Sequence, residues 1–150
     1  MQLDCGICTV RNWRLDDVER LSQIVDNPNV SRYMTALFPS PYTLDDARDW
    51  IGRNLGSGAT NFAIELKGEV AGGTGYELGL YERSHSAEIG YWLGEAYWGR
   101  GIASAVLRAL TYYAFERHGL RRIFATIYAP NAASVRVAEK CGYVREAVMR

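Results

Sequence analysis

The sequence predicts one α+β domain that spans residues 1–150. Apolar residues recur at helical spacing in four segments and at strand spacing in six, in the order β-α-α-β-β-β-α-β-α-β. One glycine-rich stretch joins a strand directly to the longest of these helices. A chain of 150 residues is also long enough to bury a single hydrophobic core.

The first predicted elements are a strand and a helix. Residues 6–12 are typical of a strand. The helix begins at Asp16 or Asp17, either of which suits an N-cap, and its apolar residues follow at a spacing of 3.6 residues. Asn27-Pro28-Asn29 predicts its end.

A second helix and a hairpin come next. Thr43 and Asp46 match a capping box and predict the start of the helix. Residues 61–67 and 70–79 predict two antiparallel strands joined by a tight turn. The second strand contains glycines that indicate a bulge or a close approach of neighbouring chain, namely Gly72, Gly73 and Gly75.

Residues 87–93 predict a strand with one apolar face and one mixed face. The apolar face carries Ile89, Tyr91 and Leu93, and the opposite face carries Glu88, Gly90 and Trp92. A carboxylate in the middle of such a strand needs an explanation, because charged residues are rarely placed there without a partner, a solvent-facing position or a function.

The rest of the chain predicts the long helix, a strand, a short helix and a last strand. The long helix ends at Gly119, which suits the position after a helix. Residues 123–128 predict a strand. The short helix begins at Asn131 and ends at Lys140, and residues 143–149 predict the last strand.

The charge balance argues against nucleic acid as a partner. The chain has 17 basic and 17 acidic residues, so it offers no excess positive charge for a phosphate backbone. It contains no apolar run long enough to cross a bilayer and no basic segment followed by an apolar one at its N-terminus. We therefore expect a cytoplasmic protein that contacts neither nucleic acid nor membrane.

The three cysteines predict neither a disulfide framework nor a metal site. Cys5 and Cys8 form one CxxC pair, but a zinc site needs two further ligands. The other candidates, Cys141, His85 and His118, are scattered along the chain. We expect structural cysteines and no bound metal.

The stretch from Trp98 to Ser104 has features of an anion site. Backbone N–H groups of a loop and of the first helical turn cluster there, and the helix dipole adds positive charge. Gly99 and Gly101 allow an anion to approach the backbone, and Arg100 adds a charge. Spacing alone leaves an alternative open, in which the glycines only turn a corner and cap the helix.

Two motifs in this region resemble the GNAT superfamily of acetyl-CoA-dependent N-acetyltransferases. They are WGRGIAS, after AEIGYWLGEAY, and IYAPNAASVRVAEKCGYVREA, after the long helix. The resemblance is to the branch of ribosomal-protein N-terminal acetyltransferases, the RimJ and RimL type. It implies a central, mostly antiparallel mixed sheet with one splayed pair of strands, flanked by about four helices.

The resemblance implies an acetyl-CoA-dependent enzyme with an amine as second substrate. Direct attack of a primary amine on the thioester is the chemistry of the superfamily, and the branch implies the N-terminal α-amine of a protein or peptide. A small-molecule amine, such as a polyamine, an aminoglycoside or an amino acid, stays open as the alternative acceptor. A CoA-binding module without turnover is the second alternative.

The resemblance also implies which residues bind the cofactor. The diphosphate loop would comprise Trp98, Gly99, Arg100, Gly101, Ile102 and Ala103, with Ser104 nearby. The backbone of Tyr91, Trp92 and Leu93 would pair with the pantetheine arm, because the strand before the loop splays from its neighbour in such folds. Asn131 belongs to the second motif and would lie toward the same splay.

Two side chains are the catalytic candidates. Glu88 matches an acidic position of related branches and is the candidate base, with Glu77 next in line. If its carboxylate is partly buried, burial would raise its pKa; a solvated strand residue or an ion-pair partner is the alternative. Ser134 is the candidate donor to the leaving thiolate, because Ala138 stands where many members have a tyrosine. Otherwise Ser134 is only a hydroxyl on a helix face.

The acceptor is expected in the loop of residues 27–42, with Tyr33, Met34, Phe38 and Tyr42 as walls, although these side chains could equally belong to the core.

Relatives of this branch continue past the strand that starts at Tyr143, whereas this sequence stops at Arg150. The final strand of the fold is thus missing from the sequence. A truncated chain, a partner that supplies the strand, or a member without it would each explain this, and we expect a monomer or a homodimer.

Overall fold

The computed structural model describes residues 1–35 and 38–149, which form a six-stranded sheet in the order β1 to β6. The strands are β1 Gln2–Asp4, β2 Thr9–Asn12, β3 Asn61–Leu66, β4 Glu69–Leu78, β5 Ser86–Leu93 and β6 Arg122–Phe124. Every neighbouring pair is antiparallel except β5 and β6, which are parallel. The predicted α+β class, with a mostly antiparallel mixed sheet, is confirmed.

Helices cover both faces of this sheet. They are α1 Val18–Val25, α2 Pro28–Ser31, α3 Leu44–Arg53, α4 Ile102–His118 and α5 Ala132–Lys140. Helices α1 and α3 pack on one face around Leu21 and Ile51. Helix α4 packs on the other face, where Val106 and Leu110 meet the inward side chains of the sheet. Burial of these apolar side chains supplies most of the favourable free energy of folding.

Several helix limits follow the local sequence as expected. The Thr43 hydroxyl accepts from the Asp46 N–H, and the Asp46 carboxylate accepts from the Thr43 N–H at 2.8 Å, which completes the predicted capping box. Gly119 ends α4 in the left-handed conformation, with φ +58°. Asn131 caps α5, where its Oδ1 accepts from the Ser134 N–H.

The start of the chain differs from the prediction in two ways. Of the predicted strand 6–12, only Thr9–Asn12 form a strand, β2, which pairs with β1; Gly6 takes φ +81° and turns the chain before β2 begins. Asp17 precedes α1 as predicted, but its carboxylate does not cap the helix. It accepts instead from the buried guanidinium of Arg11 at 2.8 and 2.9 Å, and Arg11 also pairs with Glu65 at 2.5 Å. This ionic cluster ties β2 to β3 and to the turn before α1.

A fifth helix appears where the sequence predicted a helix end. Asn27 caps the one-turn helix α2, with its Oδ1 accepting from the Asn29 N–H at 2.9 Å. Pro28 occupies the first helical position, where its missing N–H costs nothing. Residues that end one helix therefore begin another.

The glycines of β4 mark both a bulge and a close contact, as predicted. The register between β3 and β4 shifts after Ile64, so that Ala71 is an extra residue on β4. A Cβ at Gly73 would lie 2.5 Å from the indole Nε1 of Trp92. The strand therefore needs glycine there to let the Trp92 ring lie across it.

The C-terminal part of the chain differs from the prediction. The predicted strand 123–128 is shortened to β6, and residues 143–149 form no strand. A strand needs a neighbour that satisfies its backbone groups, and no described strand pairs with residues 143–149. Within residues 1–35 and 38–149, no helix has the length and apolar character that crossing a bilayer requires.

Candidate functional site

A cleft opens where β5 and β6 separate. Their parallel pairing ends at Glu88 and Phe124, while β5 continues to Leu93. Residues 125–128 lie across from the free part of β5, and α5 closes the end. The cleft has a volume of about 100 Å³. Its lining includes Tyr33, Ile89, Gly90, Tyr91, Leu107, Ala125, Thr126, Ile127, Tyr128, Asn131, Ser134 and Ala138.

Alternation along β5 decides which backbone groups face the cleft. Gly94 N–H donates to the carbonyl of Ala71 at 2.8 Å, and Ser86 carbonyl accepts from Gly79 N–H at 2.9 Å, so even-numbered residues bond toward β4. The backbone groups of Tyr91 and Leu93 therefore point toward the cleft, beyond the last residue that pairs with β6. The backbone groups of Trp92, which was also predicted to contact the cofactor, point instead toward β4.

The loop after β5 is an open cradle of amides. Gly99 and Gly101 have φ +71° and +78°, a left-handed conformation that favours glycine. No N–H from Gly99 to Ser104 donates to an acceptor within the described residues, and Ala105 makes the first helical bond, to Gly101. A Cβ built on either glycine meets no atom within 4 Å. The cradle thus has both the donors and the room that a diphosphate requires.

Other side chains of the predicted loop hold it in place. The Trp98 indole N–H donates to the Leu93 carbonyl at 2.9 Å and so ties the loop to the end of β5. Ile102 is buried in the core, and Ala103 packs against that core. Arg100 is exposed, with its guanidinium 5.8 Å from the centre of the Tyr97 ring. Of these four side chains, only that of Arg100 is charged, and its exposed guanidinium is accessible to a ligand beside the amides.

The two polar residues of the second motif both line the cleft. The Oδ1 of Asn131 caps α5 by accepting a hydrogen bond from the Ser134 N–H at 3.3 Å. The hydroxyl of Ser134 accepts a hydrogen bond from the Tyr91 phenol at 3.1 Å. Sequence patterns missed this contact, although the polar tip of Tyr91 on an otherwise apolar strand face is a signal that could have found it.

A larger cavity of about 1030 Å³ lies on the opposite face of β4 and β5. The predicted walls Tyr33, Met34 and Phe38 all line it. Phe38 stacks on Tyr42 with ring centres 5.1 Å apart, and Tyr42 is buried with the core of α1 and α3. Ala36 and Leu37, within the predicted acceptor loop, lie outside the described residues.

The two cavities adjoin across β5. Both are lined by Tyr33, Ile89, Gly90, Tyr91, Thr126 and Tyr128. A group that enters the cleft and a group that enters the large cavity can therefore meet at this strand. Such an arrangement suits a reaction between two substrates that arrive from opposite faces of the sheet.

Glu88 lines the large cavity, and its side chain is exposed rather than partly buried. Its strand neighbour Glu77 lies directly opposite on β4, on the same face. Within the described residues, neither carboxylate has a hydrogen-bond or ion-pair partner. Two like charges placed opposite each other repel, so a cation between them would be favourable.

The acidic character extends along the large cavity. Asp46 and Asp49 line it from α3, in addition to Glu77 and Glu88, while Arg53 is its one basic residue among those described. Hydrogen bonds from Thr43 lower the pKa of Asp46, so this carboxylate stays charged to a lower pH than an ordinary aspartate does. The lining as a whole favours a positively charged ligand.

Comparison with known proteins identifies the family. The Acetyltransferase (GNAT) domain family matches residues 8–144. An uncharacterized N-acetyltransferase, p20 of Bacillus licheniformis, is 32% identical over 149 residues, which cover 95% of this chain and 82% of that protein. The putative ribosomal N-acetyltransferase YdaF of Bacillus subtilis is 29% identical over 149 residues, with 95% and 80% covered.

The fold also matches a solved structure with a bound cofactor. RimL, a ribosomal L7/L12 α-N-protein acetyltransferase in complex with coenzyme A, superposes with a TM-score of 0.84 and 24% identity. The match covers 98% of this chain and 86% of RimL. The two motifs resembled this family, and the resemblance implied a sheet with one splayed pair of strands. The fold is therefore confirmed.

Proposed function

This chain belongs to the GNAT family of acetyltransferases, and from that premise we propose that it transfers the acetyl group of acetyl-CoA to a primary amine. The observation that carries the proposal is the pair of cavities that meet at β5, one beside the amide cradle and one lined by carboxylates. We assign the cleft to the acetyl donor and the large cavity to the amine.

The residues of the cleft fit the donor. The free amides from Gly99 to Ser104 and the exposed guanidinium of Arg100 would hold the diphosphate. The backbone groups of Tyr91 and the N–H of Leu93 would pair with the amides of the pantetheine arm, while the Leu93 carbonyl accepts from the Trp98 indole. When bound, acetyl-CoA supplies an acetyl group activated as a thioester.

Glu88 on β5 and Ser134 on α5 would have separate roles, as base and as hydrogen-bond donor. Glu88 takes a proton from the incoming ammonium, directly or through water, which leaves a neutral amine able to attack the thioester carbonyl. As the C–N bond forms and the C–S bond breaks, Ser134 would donate a hydrogen bond to the departing sulfur, which gains a proton as the nitrogen loses its second one. The amine and the donor meet in one ternary complex, with no covalent enzyme intermediate.

The acceptor proposed is the α-amine at the N-terminus of a protein or peptide. YdaF is named as a putative ribosomal N-acetyltransferase, and the acidic lining of the cavity suits an ammonium group. A cavity of about 1030 Å³ has room for several residues of a peptide.

A panel of acceptors tests this function. Purified protein is mixed with acetyl-CoA and with short peptides, polyamines, aminoglycosides or free amino acids, and thiol release and product mass are measured. We expect peptides with a free N-terminus to be acetylated, and the same peptides with a blocked N-terminus to be inert. If only small amines are acetylated, the acceptor is a small molecule and the proposed protein or peptide acceptor is wrong. Stabilisation by CoA without turnover on any acceptor would contradict an enzymatic function.

Gly90 offers a test of the large cavity, because a side chain added there would extend into that cavity while only the backbone of Gly90 borders the cleft. It lies on the Glu88 face of β5, and a Cβ built there meets no atom within 4 Å, so the strand itself tolerates a side chain. Gly90→Val should fill space intended for the acceptor and raise its KM about tenfold, as overpacking of a site does, while CoA affinity stays unchanged. Gly58→Val, also free of contacts within 4 Å, is the matched control. An unchanged acceptor KM would contradict the assignment of this cavity.

A further inference from the structure

Tyr91 and Ser134 bring two hydroxyl groups together across the cleft. Tyr91 extends from β5 and Ser134 from α5, and the phenol Oη donates to the serine Oγ at 3.1 Å. The two residues are 43 positions apart in the chain, so only the tertiary fold joins them. Both line the cavity that we assign to the acetyl donor.

This contact limits what the serine hydroxyl can do. A serine hydroxyl has one proton to donate and two lone pairs that accept. Once Tyr91 occupies one lone pair, the serine proton must point elsewhere, and Ser134 Oγ has no further hydrogen-bond partner within the described residues. The backbone of Ser134 is held as well, because its N–H donates to Asn131 at 3.3 Å. The free proton is thus presented from a fixed position in the cleft.

We propose that Tyr91 is the positioning residue for Ser134: by donating to the serine Oγ, the phenol orients the serine proton and strengthens it as a donor to the departing sulfur. The inference rests on the proposed function of Ser134. Tyr91 keeps its own proton throughout, and no bond to it forms or breaks. Hydrogen bonds in a chain polarise one another, so the serine becomes a better donor when the phenol donates to it.

The neighbourhood of the pair supports this assignment. Ala138 lies one turn after Ser134 on α5, is buried and lines the cleft, so that position adds no second hydroxyl beside the serine. Burial raises the pKa of the Tyr91 phenol, and this outweighs the opposite effect of the bond to Ser134. Because a raised pKa keeps the phenol protonated, it remains a donor across the neutral and mildly alkaline range.

A double-mutant cycle tests the proposal. The turnover number, the KM of each substrate, the affinity for CoA and the melting temperature are measured for Tyr91→Phe, Ser134→Ala and the double variant. Ser134→Ala should lower kcat about 100-fold, in the range of a lost transition-state donor. Tyr91→Phe should lower kcat about tenfold, near the most that one neutral hydrogen bond contributes, with KM and CoA affinity unchanged.

The double variant carries the decisive comparison. If Tyr91 acts through Ser134, removing the phenol does not lower kcat further once the serine hydroxyl is gone. The double variant then has the same kcat as Ser134→Ala. Tyr113→Phe, which changes a half-buried tyrosine on α4 outside the cleft, should keep full activity. Multiplicative losses in the double variant, or an unchanged kcat for Tyr91→Phe, would overturn the proposal.

The same data separate this proposal from the function on which it rests. Absence of acetyl transfer by the unmodified protein would refute the proposed function. Full activity of Ser134→Ala would refute the role of the serine, and with it the role of Tyr91. A fall in kcat for Ser134→Ala alone would leave the function intact and overturn only the positioning role of the phenol.

Discussion

Gly101→Val should lower the affinity for CoA at least about 1,000-fold. Gly101 has φ +78°, which a β-branched residue adopts only with strain, so the loop must change its backbone to accept valine. The amides of the cradle then no longer converge. Loss of two charge-assisted hydrogen bonds, at about 2 kcal/mol each, corresponds to about 4 kcal/mol and to this change in affinity. Calorimetric titration with CoA measures it.

Gly6→Val is the matched control for this variant. Gly6 has almost the same backbone conformation, φ +81°, and likewise has no atom within 4 Å of a built Cβ, but it lies in the turn between β1 and β2. Gly6→Val should introduce the same backbone strain as Gly101→Val but leave the affinity for CoA unchanged. Equal affinities for Gly101→Val and the unmodified protein would refute the assignment of the loop.

Glu88→Gln should lower kcat about 1,000-fold and leave CoA binding intact. A positioned base accelerates a reaction by roughly 100-fold to 10,000-fold, and glutamine keeps the shape of the side chain while losing its basicity. The loss should be largest at low pH, because an α-amine has a reference pKa of about 7.7–8.0 and increasingly deprotonates without help above it. A pH profile of kcat with a peptide acceptor records both effects.

Glu77→Gln provides the comparison, since Glu77 lies directly opposite Glu88 on the same face and is equally exposed. It changes the same charge in the same cavity, so any effect common to both variants reports on acceptor binding. We expect Glu77→Gln to alter mainly the acceptor KM. A large kcat loss confined to Glu77→Gln would transfer the role of base to Glu77, and rates like the unmodified protein for Glu88→Gln would exclude Glu88.

Features that depend on neighbouring residues in the chain could be predicted from the sequence. The capping box at Thr43, the left-handed end of α4 at Gly119 and the cap of α5 at Asn131 all involve contacts within a few positions. The glycine conformations of the cradle loop are local in the same sense. Local hydrogen bonding and backbone sterics determine such features, so they can be predicted from the residue types at these positions.

Features that depend on tertiary contacts could not be predicted in the same way. β6 ends at Phe124, where its pairing with β5 stops, and this pairing joins residues far apart in the chain; the predicted strand 123–128 was therefore too long. Asp17 looked like a cap because the sequence does not show that Arg11 lies against it. The exposure of Glu88 and the contact between Tyr91 and Ser134 likewise require the folded sheet.

Zero net charge is compatible with an anionic cofactor in this architecture. The cradle relies on backbone amides, which carry no formal charge, together with one exposed arginine. Four carboxylates, those of Asp46, Asp49, Glu77 and Glu88, lie around the large cavity on the other face of the sheet. The two faces of one neutral protein thus suit ligands of opposite charge.

Titration of isotope-labelled protein with CoA, followed residue by residue through its backbone amide signals, tests whether CoA binds at the cleft and the cradle. We predict that the amides of Tyr91 and Leu93 and those from Gly99 to Ser104 shift together with one dissociation constant, while the amides of the hairpin turn at residues 5–8 stay constant. Binding of CoA that leaves the Tyr91, Leu93 and cradle amides unchanged would contradict this assignment.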